Sequence, residues 1–244
     1  MRRILFLISI YCVTVMPLAS QGISVGPFII YEQAQSDFVI DGVTSGYKFG
    51  AAGLSTDIKI NNRSTLITDI GVGYIPSETI SFGGATFSGP FGSRYLSSKL
   101  VYNIKEFDSA NLHISSSFSH RHAFSNSLIG TKNSATLNGK AVNIINSLEA
   151  LVGFKFLQNT GTNFIIGLGL SAWSFNATGV AANLSDTVRA IKNLSELGID
   201  PMLEAIYHSK NANKNLELAF RYRSLNSKLN NGIFSLGLNY KYVF

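Results

Sequence analysis

The end of the chain alternates strictly between two kinds of side chain. Phe234, Leu236, Leu238, Tyr240, Tyr242 and Phe244 are apolar or aromatic, and Ser235, Gly237, Asn239, Lys241 and Val243 lie between them. Successive side chains of a β-strand point to opposite faces. The segment therefore reads as a strand of about ten residues, long enough to cross a bilayer at a tilt. The pattern recurs. Leu216, Leu218, Phe220 and Tyr222 interleave with Glu217, Ala219, Arg221 and Arg223; Leu148, Val152, Phe154 and Phe156 interleave with Glu149, Gly153 and Lys155. Comparable runs fall at 52–60, 66–74 and 164–171.

A soluble sandwich alternates too, with its polar face in water. Two features favour the inverted arrangement, apolar face to lipid and polar face to an enclosed lumen. The polar faces are rich in Gly and Ser, and charged residues make only 14% of the chain, against ~25% in an ordinary soluble domain. The connections also alternate in length: 61–63, 105–111, 157–162 and 209–214 are short, whereas 32–46, 76–92, 124–145 and 176–201 are long. Short periplasmic turns and long outer loops produce this rhythm. A helical membrane span is excluded after the N-terminus, because the longest apolar stretch, 164–175, is too short and carries alternate glycines. No basic stripe is present, so a nucleic-acid partner is not expected.

Residues 1–20 read as an export signal: Met1-Arg2-Arg3 is positive, 4–16 is apolar, and Pro17 to Ser20 supplies a break and small residues. Cleavage after Ser20 leaves 21–244 as one domain. It removes Arg2 and Arg3, taking the formal net charge from +6 to +4, and with them the single cysteine, Cys12. No thiolate metal site or disulfide is then expected.

The terminal Tyr240-Lys241-Tyr242-Val243-Phe244 resembles the C-terminal signature of bacterial outer-membrane β-barrels. In size the chain is similar to the small opacity-protein and OmpA/OmpX-like barrels. The resemblance implies a closed antiparallel transmembrane barrel in the outer membrane, in contact with its lipid and lipopolysaccharide. It further implies that the barrel-assembly machinery reads Tyr240, Tyr242 and Phe244. The alternation gives ten strands, at 23–31, 47–60, 64–75, 93–104, 112–123, 147–156, 163–175, 202–208, 215–225 and 232–244, with eight as the alternative if the first and the short 202–208 are lost. Leu184, Val188, Ile191 and Leu194 fall at helical spacing behind Ser185-Asp186, which predicts a short helix in the last long loop.

No residues carry a recognisable chemistry. Gly71-Val72-Gly73 and Gly167-Leu168-Gly169 lack the third glycine and the helix of a nucleotide site. His120 and His122 share a strand face but have no third metal ligand nearby in sequence, and they suit a polar rim at the membrane interface. Lipid A deacylases and omptin proteases share the architecture. The deacylases need a His and a Ser two apart; His208 and Ser209 are adjacent and so face opposite ways. Omptins need acids and a His at the outer rim, where Asp37, Asp41, Asp186 and Asp200 have no His beside them. No catalytic, cofactor or metal site is expected. The alternation does assign a lumen set: Asp57, Lys59, Asp69, Lys99, Arg121, Glu149, Lys155, Glu204, Glu217, Arg221, Arg223 and Lys241. Buried charges must pair, so the expectation is a salt-bridged interior in which Glu204 and Glu217 face these bases. Two functions follow. One is a surface barrel whose outer loops meet a host or environmental ligand; the other is a small pore, weakly anion-preferring because the set is slightly basic.

Overall fold

The computed structural model describes residues 22–40, 43–107, 109–157, 161–183, 189–211, 213–226, 229 and 231–244. The proposed export signal thus lies outside the described residues. Ten long strands close a barrel: β1 (Ile23–Ala34), β4 (Lys48–Lys59), β5 (Ser64–Phe82), β6 (Ala85–Glu106), β7 (Ala110–Lys132), β8 (Ala135–Leu157), β9 (Thr162–Ala182), β10 (Arg189–Asn211), β11 (Lys214–Ser224) and β12 (Gly232–Val243). Two short strands, β2 (Phe38–Ile40) and β3 (Val43–Ser45), form a side hairpin that pairs with the outer part of β5. Each long strand pairs antiparallel with its sequence neighbours, and β1 pairs with β12 from Ser24↔Val243 to Ala34↔Ile233. Closure leaves no open edge in the lipid-facing part, as a lipid environment requires; further out, residues 189–201 of β10 pair with β9 alone.

The facing follows the alternation. On β11, Leu216, Leu218 and Phe220 are exposed while Ala219 and Arg223 are buried; on β12, Phe234, Leu236 and Leu238 are exposed while Ser235 and Lys241 are buried. Leu54, Ile70, Val72, Leu100, Phe118, Leu148, Val152 and Leu168 complete an exposed apolar wall. Both ends of the described chain lie with the short turns, which is the periplasmic end in barrels of this architecture.

Three expectations are corrected at the opposite end. Residues 76–92 and 124–145 are paired strand for almost their whole length, and of 176–201 only the segment between β9 and β10 departs from it. Hairpins β5–β6, β7–β8 and β9–β10 continue beyond the lipid-facing wall as three ribbons that are laddered to one another, β6 to β7 as far as Thr86↔Thr131 and β8 to β9 as far as Asn138↔Ala182. The cause is turn chemistry. Phe82 pairs with Ala85 across Gly83 and Gly84, both at positive φ, and Lys132 pairs with Ala135 across Asn133 and Ser134, also at positive φ. Two left-handed residues give the tight turn whose twist matches a hairpin. Among the described residues the expected helix is also absent. Residues 189–199 belong to β10, paired to β9 from Arg189↔Ala182 through Ile199↔Ala172, and 184–188 lie outside the described residues. The three- and four-residue spacing of a few apolar side chains is outweighed by a full backbone ladder to β9, which a helix would leave unpaired. Accordingly the strand read as 202–208 extends over Arg189–Asn211.

Apolar inward faces of the ribbons converge. Phe38, Tyr47, Phe49, Phe82, Phe87, Phe91, Leu128, Leu137, Trp173, Phe175, Ala181, Leu225 and Leu229 belong to one buried core that continues down to Phe28, Ile30 and Tyr95. Phe82 stacks on Phe87 at 4.5 Å between ring centres, and Phe38 meets Phe175 at 5.3 Å. The core of this protein therefore lies inside the outer half of the barrel and between the ribbons.

Candidate functional site: the charged lumen and the outer wall

Below the aromatic core the interior turns polar, because the inward positions of β6–β8 and β10–β12 carry Ser, Asn and charged residues. The uppermost layer is a four-charge chain. Glu32 Oε2 lies 2.5 Å from Arg121 Nε, Glu32 Oε1 lies 3.0 Å from Arg223 Nη1, and Arg223 Nε lies 2.5 Å from Glu149 Oε1. The Arg121–Glu32 contact is an ion pair rather than an aligned hydrogen bond, since Arg121 Nε has no partner of good hydrogen-bond geometry. Tyr47 donates to Glu32 at 3.2 Å, Ser117 donates to Glu149 at 2.9 Å, and Arg121 Nη1 donates to Ser119 at 2.7 Å. The Arg121 guanidinium also sits 5.7 Å from the Tyr95 ring centre. Glu32 is fully buried, at 0% exposure.

A second layer centres on Glu204, which is 2.5 Å from both Lys99 Nζ and Arg221 Nε. Asp69 beside it accepts from Ser55 at 2.5 Å and from Ser97 at 2.8 Å. Nearer the periplasmic end Lys241 pairs with Asp57 at 2.5 Å. Under the first layer lies a cavity of about 270 Å³, lined among others by Asp69, Lys99, His113, Lys155, His208 and Glu217.

Most of the sequence-derived set is thus brought together, with three differences. Lys59 is exposed at the end of β4, beyond the point where the lumen encloses side chains. Glu217 has no ion pair among the described residues; it accepts from Asn239 Nδ2 at 3.1 Å and faces the cavity. Lys155 likewise lines the cavity without an ion pair among the described residues. The residue missed is Glu32. Its strand has apolar residues on both faces (Phe28 and Ile30 buried, Ile29 and Tyr31 exposed), so period two is silent there and the carboxylate reads as the start of a loop. With Glu32 in and Lys59 out, five acids against seven bases become six against six. Asp200, buried and accepting from Trp173 Nε1 at 2.8 Å, is a further inward acid. The slight basic excess behind an anion preference is gone.

The histidines fall in separate places. His208 and Glu217 are direct cross-strand partners at the cavity, with Asn163 3.4 Å from His208. His120 and His122 lie on the outer wall of β7, their ring centres 6.3 Å apart, and His120 Nδ1 is 2.6 Å from Asn146 Oδ1. At the outer end the described acids include Asp37, Glu78 and Glu196. Among the described residues no three His, Cys, Asp or Glu side chains group in a way that could hold a metal ion.

No protein-family model matches the chain, and no curated protein matches it. Solved structures do. The translocator domain of autotransporter NalP from Neisseria meningitidis is similar over 99% of this chain and 97% of its own, at 11% identity and a TM-score of 0.53. The outer-membrane protease OmpT from Escherichia coli is similar over 91% and 95%, at 6% identity and a TM-score of 0.54. The attachment invasion locus protein Ail of Yersinia pestis aligns over 91% and 98%, at 11% identity and a TM-score of 0.36. The chain has the fold of the bacterial outer-membrane β-barrels.

Proposed function

We propose that this chain is a non-catalytic surface protein of the outer membrane, which presents three β-ribbons and the β2–β3 hairpin to a ligand outside the cell. One observation carries the reading: the ribbons are far longer than closure needs, and they are held together by backbone ladders and by their own aromatic core. From Tyr74 to Phe82 on β5 the extension is ~25 Å along the strand, and from His120 to Lys132 on β7 it is ~40 Å, at the usual ~3.3 Å per residue. A ribbon that packs on its neighbours offers a rigid recognition surface, which loses less conformational freedom on binding than a flexible loop.

The proposal includes export by residues 1–20 and insertion by the barrel-assembly machinery through Tyr240, Tyr242 and Phe244. In support, Tyr242 and Phe244 are exposed on the lipid side of the closing strand, and Tyr240 meets Tyr242 edge-on at 5.4 Å. The pore reading is disfavoured by the filled cross-section: Phe49, Phe87, Glu32, Arg121 and Glu149 are all buried where a channel would need water. A protease reading, suggested by the name of OmpT, gains no support from the histidines: His113 and His208 line the lumen cavity, and His120 and His122 lie on the outer wall.

The test combines two measurements on one protein. Cells displaying the chain should adhere to wells coated with extracellular-matrix protein or sulfated glycan more than cells carrying empty vector. Shortening β5–β6 by removing 79–88 should abolish the gain while leaving a heat-modifiable barrel. The purified chain in planar bilayers should give no stable conductance steps. Adherence equal to the vector control, or steady single-channel steps, would sink the proposal.

A further inference from the structure

The outer wall carries a cationic feature that the ribbon reading does not use. Gly92, on the lipid-side face of β6, has no side chain, and the Phe124 ring of β7 lies across it; a Cβ at Gly92 would stand 2.9 Å from that ring. The Arg94 guanidinium rests over the same ring at 5.2 Å from its centre. His122 is the cross-strand partner of Arg94, and its ring centre lies 5.4 Å from that of Phe124. One step below, His120 bonds Asn146, and Asn146 Nδ2 bonds Ser174 Oγ at 3.2 Å, which gives a polar row across β7, β8 and β9.

The height of this patch is fixed by register. His120 pairs with Leu96 on β6, and two residues further down Phe118 and Leu148 are already part of the exposed apolar wall. The patch therefore begins at the upper edge of the lipid-facing band, where headgroups lie. Residues 85–98, 118–132, 135–148 and 170–183 contain no Asp or Glu at all. Arg94 is exposed and forms no ion pair among the described residues. The opposite wall also carries a cation, Lys48, across from Gln33 and beside the exposed Tyr31 and Phe234, but among the described residues it lies over no ring there.

We infer that Arg94, with His122 and His120, forms a binding site for the phosphate group of an outer-leaflet glycolipid. The physical case is that of an arginine whose guanidinium lies over an aromatic ring, 5.2 Å from its centre. The ring meets one side of the cation, and its N–H groups remain available to hold two phosphate oxygens at once. A merely snorkelling cation would need no glycine to seat its platform. The acyl chains of such a lipid would lie against Leu96, Phe118 and Leu148 directly below. The site depends on the outer-membrane orientation of the barrel and not on the adhesive role of the ribbons.

The probes are bisphosphorylated lipid A, the same lipid with both phosphates removed, and inorganic phosphate, each added to the purified barrel in detergent and scored by native mass spectrometry. The wild-type chain should retain the phosphorylated lipid about tenfold better than the dephosphorylated one, the gain of one to two charge-assisted hydrogen bonds. Arg94→Gln should erase that preference and Arg94→Lys should keep part of it, because a lysine supplies charge without the planar fork. Lys140→Gln, an exposed outward cation about 13 Å further from the band at ~3.3 Å per residue, should leave it intact. Arg94 is exposed, so heat-modifiable folding should be unchanged in all three variants. Equal retention of the two lipids by the wild-type chain, or a preference that survives Arg94→Gln, overturns the inference. Displacement of the lipid by inorganic phosphate at the same concentration also overturns it, since that would make the patch a free-anion site.

Discussion

Replacing Glu32 by Gln should cost the barrel about 3–5 kcal/mol, the usual loss when one partner of a buried ion pair is removed and the other stays charged. Three features of the structure set that figure near the upper range. Glu32 is completely buried. It is the only acid within ion-pair distance of Arg121 among the described residues, so the change leaves that guanidinium, itself 2% exposed, without a counter-charge. Arg223 loses one of two acids and keeps Glu149 at 2.5 Å. The amide retains the size of the side chain and can still accept from Tyr47, so packing changes little and the loss reports charge.

The natural control is Glu217→Gln. That carboxylate borders the cavity, accepts from Asn239 at 3.1 Å and has no ion pair among the described residues, so its removal should cost no more than about 1 kcal/mol in a wet setting. Unfolding in urea can be followed without labels, because Trp173 is the chain's single tryptophan and is buried. The double change Glu32→Gln with Arg121→Met should recover most of the loss, since exchanging both members of a buried pair for neutral groups is often close to neutral. If Glu32→Gln destabilised no more than Glu217→Gln, the lumen at that height would be hydrated, and the pore reading would regain its footing.

Leu218→Arg should cost about 2–4 kcal/mol, as a cation placed on the lipid face near mid-membrane does, while Ala219→Ser on the lumen side should move the urea midpoint little; the reverse ranking would invert the facing of β11. Deleting Phe244 should lower the amount of heat-modifiable protein in the outer membrane while periplasmic export continues, read by fractionation; normal insertion would remove the role proposed for the terminal aromatics. At the outer end, burial first, and then the neighbouring Asp37 carboxylate, lift the Glu78 carboxyl above the ordinary glutamate range, against the Thr79 amide and Lys48, which pull it down. A carboxyl raised in the folded state favours folding when protonated and loses that contribution as pH rises through the raised value. Glu78→Gln should therefore stabilise the ribbons at neutral pH, and the gain should vanish below the ordinary glutamate range; a gain that persisted in acid would show that charge is not its cause.

The membrane part of the fold was legible because lipid enforces the period. Where one face must be apolar and the other polar, Leu216 to Tyr222 or Leu148 to Phe156 can be read only one way, and a slip of one residue would turn every charge into the bilayer. Above the membrane that constraint lapses. Ribbon positions such as Ser88, Asn126, Asn138 and Lys140 face water, and their Gly, Ser and Asn content resembles loop. The signal that was available is local: Gly83-Gly84 sits between Ile80 and Phe82 on one side and Ala85 and Phe87 on the other, a two-residue hairpin turn flanked by alternation. Asn133-Ser134 is a weaker form of the same signal. The helix expected around 184–199 fails for a related reason. Leu194 at helical spacing is compatible with a strand too, and β9 offers eleven consecutive partners between Arg189↔Ala182 and Ile199↔Ala172.

The charged interior shows what spacing can and cannot assign. Alternation gives the face of a side chain, and with it the lumen charges other than Glu32 and Asp200 were placed inward. It gives neither height nor partner. Glu204 and Glu217 lie on the inward faces of neighbouring strands; Glu204 sits between Lys99 and Arg221 because the closed sheet carries β6 across the lumen from β10, while Glu217 falls beside a cavity and meets only an amide. Glu32 joins Arg121 across a sequence separation that no local pattern records. The outward residues show the same limit. His120 and His122 were placed at the interface by their spacing, but what distinguishes them is Arg94 lying on Phe124 over Gly92, three residues from two strands whose meeting depends on register. Closure brings charges together in the lumen, where they neutralise one another, and on the outer wall of β6 it leaves Arg94 over a ring and without an ion pair among the described residues. An exposed guanidinium over its phenyl ring at the headgroup level keeps its N–H groups available, and a bound phosphate would supply acceptors for them.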